Sequence, residues 1–175
     1  MYPLALSVNH DGASYDARLH AARKLLQGYY KPAEFMRDIR AICALKARDE
    51  RAAFRVKIKP ADITTQAREV ADYALNHARE MIRDGYTGAR CHATIRRWWD
   101  GANGNSYFSV TVRIPQPSGF TLFYVPFQYG YGSQPEWETV LQLVSLGLFE
   151  RAEHHSPGSY PVDFEDQGYM QKGKL

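Results

Sequence analysis

Two clusters of turn residues, Asp100-Gly-Ala-Asn-Gly-Asn105 and Pro115-Gln-Pro-Ser-Gly119, divide the middle of the chain into short alternating segments. No other feature constrains the fold as much. Gly and Asn supply the positive-φ conformations that tight turns need, and Pro presets φ where a turn begins. Segments that alternate between apolar and polar residues on either side of such turns predict an antiparallel meander. The expected strands are 89–99, 106–114 and 120–127.

Helical periodicity governs what precedes the meander. Ser14 is a suitable N-cap for a helix over roughly 15–27, with Tyr15, Leu19, Ala22 and Leu26 on one face and Gly28 at its stop. Pro32 opens a second helix with Phe35, Met36, Ile39, Ile42 and Cys43 as its apolar face, reaching 48 or 52. Phe54-Arg-Val-Lys-Ile-Lys59 alternates apolar and basic residues, which predicts a strand ended by Pro60. A longer helix is expected over 64–84, stopped by Gly85. Beyond the meander, Ser133 and Glu136 match a capping box for a helix over 134–149. That helix has no charge from Thr139 to Phe149, as a buried central element would. The order is α-α-β-α-β-β-β-α, an α+β fold with a three- to four-stranded antiparallel meander packed against helices. Residues 1–152 read as one α+β domain whose basic helical part is 14–60, and 153–175 as an irregular tail.

A chain of 175 residues with 45% apolar residues is long enough to bury a core. No apolar run suits a membrane span, and the first residues lack the basic start of a secretion signal. Cys43 and Cys91 have no metal-type or redox-type spacing, which points to two reduced thiols in a cytoplasmic protein.

Charge is sorted along the chain. Residues 1–60 hold 12 of the 22 Lys/Arg but 6 of the 19 Asp/Glu, whereas 101–150 keep one cation, Arg113, against three carboxylates. On a helical wheel Arg37, Arg40, Arg48 and Arg51 fall within one arc of about 80°. Strand parity puts Arg55, Lys57 and Lys59 on one face of the expected first strand. Guanidinium groups donate in pairs to phosphate oxygens, so these rows suit a polyanion. In Arg96-Arg97-Trp98-Trp99, alternation separates the two tryptophans. Trp99 is expected in the core and Trp98 at the sheet end, beside Arg96, where a base could stack on it.

Other patterns carry less. The α-β-β-β-α order of 64–149 is shared with double-stranded-RNA-binding domains. Gln134-Pro-Glu-Trp-Glu138, however, puts carboxylates at the last helix start, where they suit the helix dipole and repel phosphate. His92-Ala-Thr-Ile95 resembles the H-Φ-T-Φ motif of the 2H phosphoesterases, which implies a histidine acid–base pair built from two such motifs. The second candidate, His154-His155-Ser156, is followed by Pro157. Those histidines with Glu153 lack a third metal ligand in view. Tyr160-Pro-Val-Asp-Phe-Glu-Asp166 mixes acids and aromatics and could dock on a partner or lie across the basic front of its own or a neighbouring molecule.

These patterns lead to a small, non-catalytic nucleic-acid-binding protein, for DNA or RNA, single- or double-stranded. Its binding residues would be Arg37, Arg40, Arg48, Arg51, Arg55, Lys57, Lys59, Arg96 and Trp98. No cofactor, metal or membrane partner is expected. The alternatives are a protein-interaction module or inhibitor of a larger enzyme, a homo-oligomer among them, and a phosphoesterase using His92 and Thr94.

Overall fold

A computed structural model describes the backbone of residues 12–54, 60–151 and 156–170, and the side chains within these except 12–15, 45–54 and 60–64. The fold is α+β. Helices α1 (Gly12–Leu26), α2 (Pro32–Phe54) and α3 (Pro60–Asp84) precede strands β1 (Cys91–Asp100), β2 (Asn105–Gln116) and β3 (Gly119–Tyr129). Helix α4 (Gln134–Ser145), a short 3-10 turn (Pro157–Ser159) and strand β4 (Val162–Met170) follow. Two compact units divide the chain: a helical unit of residues 1–25 and 29–78, and a sheet unit of 26–28 and 79–175.

Local chemistry sets the helix ends. Gly28 takes φ +80°, and the Tyr29 amide donates to the Lys24 carbonyl at 2.9 Å, closing α1 in a Schellman turn. Pro32 opens α2, and the carboxylate of Glu34 accepts the Lys31 amide at 2.8 Å, half of a capping box. In the helical unit the buried side chains recur at helical spacing. They are Ala21 and Ala22 of α1, Phe35, Ile39 and Cys43 of α2, and Ala67, Val70, Ala71, Ala74 and Ala78 of α3. The small residues of α3 permit close helix approach.

Pro60, expected as a strand terminator, is the first residue of α3. A proline fits there because the first turn leaves its amide unpaired in any case. The expected strand begins at Phe54, which is helical and ends α2. Its remaining residues, 55–59, lie outside the described residues.

In the sheet unit the strand order is β3-β2-β1-β4. β1–β2 and β2–β3 are the expected antiparallel hairpins, with Trp98 opposite Tyr107 and Tyr107 opposite Tyr129. Cys91, Ala93 and Ile95 of β1 are fully buried with Phe108, Val110, Val112 and Ile114 of β2 and Phe123 and Val125 of β3. Val140 and Leu143 of α4 complete this core. Burying so many branched and aromatic side chains contributes roughly 1.5–3 kcal/mol each before the cost of ordering them.

Three expectations fail here. The tail expected to be irregular supplies β4, which pairs parallel with β1 from Cys91 opposite Val162 to Trp98 opposite Met170. Helix α4 is not buried all round. Pro135, Thr139, Val140 and Leu143 are buried, Leu141 is exposed, and the helix ends at Ser145 before Gly147 at φ +77°. The expected capping box is not made: Ser133 caps with no side-chain hydrogen bond, and the Gln134 amide oxygen accepts the Tyr131 N–H instead. Glu136 reaches Arg97 at 3.7 Å, so its carboxylate serves an ion pair rather than the cap.

Candidate nucleic-acid interface

In the helical unit, α2 runs without a break through Arg37, Arg40, Arg48 and Arg51. Arg37 and Arg40 are exposed, and among the described residues Arg37 pairs only with the adjacent Asp38 at 3.2 Å, a contact worth little in water. The side chains of Arg48 and Arg51, and all of Arg55, Lys57 and Lys59, lie outside the described residues. The helical unit holds 13 Lys/Arg against 9 Asp/Glu, whereas the sheet unit holds 9 against 10. The sorted charges therefore follow the division into units.

The cations of β1 are placed differently. The pairing with β4 brings a row of acids alongside them. Arg90 binds Asp163 at 2.7 Å, His92 lies 3.6 Å from Glu165, and Arg97 binds Asp166 at 2.7 Å. Arg97 is buried and lies between the carboxylates of Asp166 and Glu136. The acids of this segment thus pair within their own sheet, with basic residues outside the basic front of residues 1–60. Arg96 is the exception, because its neighbour on β4 is the neutral amide of Gln167, at 3.4 Å.

The tryptophans are the reverse of what parity suggested. Trp98 is 9% exposed, with Phe127 edge-on at 5.0 Å, whereas Trp99 is 55% exposed at the strand end, near Tyr169. Alternation tells which residues share a face, but not how far the cover over each face extends. On the α4 side, burial along β1 ends at Arg97. On the opposite face, Phe127 of β3 closes over Trp98. A base therefore cannot lie on Trp98 as expected.

Ring contacts on that face continue past Trp98. Phe127 stacks on Tyr107 at 5.2 Å, Tyr129 meets Tyr107 at 5.9 Å, and Tyr131 meets Tyr129 at 5.1 Å. Phe127, Tyr129 and Tyr131 are 43–51% exposed. The hydroxyl of Tyr131 donates to the Gly104 carbonyl at 2.8 Å, anchoring the row to the β1–β2 hairpin. A hydrogen bond to Tyr131 holds the Tyr129 phenol above its ordinary pKa. Nothing along the chain marks these rings as a group, since their clustering requires the register of β2 on β3.

Other candidate chemistry finds little support in this geometry. The group facing His92 is a carboxylate, Glu165, which would repel a phosphate ester rather than help cleave it. His154 and His155 lie outside the described residues. Among the described residues, no three His, Cys, Asp or Glu side chains are grouped to hold a metal ion, and no helix is long and apolar enough to cross a membrane. Cys43 and Cys91 are buried thiols, and burial pushes the Cys91 thiol up to about 11. Such a thiol is a poor nucleophile at neutral pH. No family model, curated protein or solved structure matches this chain.

Proposed function

We propose that the protein binds nucleic acid without catalysis, through the cations of its helical unit. The observation that carries this reading is the separation of charge by unit, 13 Lys/Arg against 9 Asp/Glu in the helical unit, with Arg37 and Arg40 held out to solvent on α2. Guanidinium groups spaced along a helix can each meet a phosphate, and binding of this kind releases counterions and weakens steeply with salt. Sequence preference is expected to be weak, because phosphate contacts position a nucleic acid without reading its bases.

Titrating the full chain into labelled oligonucleotides at increasing salt tests the proposal. Binding should be measurable at low salt and fall linearly on a log–log plot. The double substitution Arg37→Glu, Arg40→Glu should reduce affinity by roughly tenfold or more and flatten the salt slope, with the fold unchanged. No binding at low salt, or an unchanged slope in the double variant, would sink it.

A further inference from the structure

The sheet unit contributes a second kind of surface, and it bears on which form of nucleic acid is bound. Trp98 and Tyr107 face each other across β1 and β2, and Tyr107 and Tyr129 across β2 and β3. Paired residues share a face of the sheet, so this row lies on one side. Phe127 joins it by stacking nearly parallel to Tyr107, at 10° between ring planes. Arg96 lies two residues before Trp98 on the same face, opposite Ser109. The surface therefore presents half-exposed ring faces beside one guanidinium.

Two observations limit what this surface fits. Arg90, just before β1, and His92 and Arg97 on it each face a carboxylate, whereas among the described residues Arg96 faces only an amide. A cation left uncompensated beside aromatic rings favours an anionic occupant over an apolar protein surface. The helical unit of the same chain carries the net positive charge. Nucleotides supply both complements, a flat π face and a phosphate. A base inside a duplex is stacked on both sides and cannot lie on a protein ring.

We propose that Phe127, Tyr129 and Tyr131, with Arg96, form a stacking surface for unpaired bases, and that the nucleic acid bound is therefore single-stranded. This rests on the nucleic-acid reading above and narrows it to one form of ligand.

The test compares a labelled 20-nucleotide oligothymidine and a duplex of equal length, each titrated with the full chain at low salt. The single strand should bind more tightly and quench tryptophan fluorescence. The variants Phe127→Leu and Tyr129→Leu keep apolar volume at exposed positions while removing the ring. Each should weaken single-strand binding roughly tenfold and leave duplex binding unchanged; the melting temperature should hold in Tyr129→Leu and fall modestly in Phe127→Leu, which thins the cover over Trp98. Arg96→Gln should lower the single-strand salt slope by about 0.7. Equal single-strand affinity in the leucine variants and the wild type would overturn the inference. So would a wild type that binds only duplex, although the polyanion reading would then stand. If neither form binds, both readings fall together. A self-association that the leucine variants abolish, with oligonucleotide affinity unaltered, would make the patch a contact between copies and would also overturn the inference.

Discussion

Arg37 and Arg40 of the helical unit and Arg90 and Arg97 of the sheet unit stand in opposite surroundings. In the helical unit, Arg37 and Arg40 stand in water with at most a neighbouring carboxylate. In the sheet unit, Arg90 and Arg97 are tied to acids of β4, and Arg97 is buried. Aromatics divide the other way, 7 in the helical unit against 16 in the sheet unit. The same residue type thus does different work. Arg97 ties β1 to β4, and Arg37 and Arg40 on α2 face solvent. Counting cations along a sequence mixes these roles, because an arginine buried between carboxylates cannot take up an external phosphate, whereas one in a weak solvent-exposed pair can.

That contrast can be broken most directly at Arg97. Arg97→Ala leaves Asp166 and Glu136 without their shared cation and should destabilise the protein by about 2–3 kcal/mol, less than a fully buried pair because Asp166 is partly exposed. Arg37→Ala should shift stability by no more than about 0.5 kcal/mol. Urea unfolding of both variants checks the pair, and similar midpoints would erase the distinction drawn between the two units. A smaller effect is expected at Gly168, which takes φ +71° where the β1–β4 register shifts, its amide donating to Asp166 at 2.8 Å. Gly168→Ala should cost about 1 kcal/mol, because a Cβ disfavours that conformation. An unchanged melting temperature would mean that this irregularity does not depend on glycine.

The smallest effect concerns pH. The Cys91 thiol is raised to about 11 by burial, and the Tyr86 phenol is raised mainly for the same reason. The folded state therefore holds its thiol proton at a pH where the unfolded chain has released it. Stability contributed by the neutral thiol is complete below the ordinary thiol range and is lost as pH rises towards 11. Melting temperatures at pH 8 and pH 10 should differ more in the wild type than in Cys91→Ala. Equal differences would remove Cys91 as a cause.

Much of the architecture was legible along the chain. Gly28 and Gly85 marked helix ends, and the turns at 100–105 and 115–119 marked the hairpins, because these signals act over a few residues. β4 was not legible, since Val162-Asp-Phe-Glu-Asp166 reads as a polar tail until β1 sets Arg90, His92 and Arg97 opposite its acids. Glu136 had the spacing of a cap, but a buried guanidinium from another element was a stronger partner. The candidate site was legible only in part. Arg37, Arg40 and Arg96 are exposed as expected, but Trp98 lies under Phe127, and the exposed rings come from β3 and the loop after it.

The order of helices and meander, and the sorting of charge, were determined by the sequence alone. Both depend on spacing and turn chemistry that neighbouring residues settle among themselves. Which strand completes the sheet, which tryptophan is covered and which arginine keeps its charge were decided only by tertiary structure. Each depends on a partner from a distant element. Burial and ion pairing exist only once those elements meet.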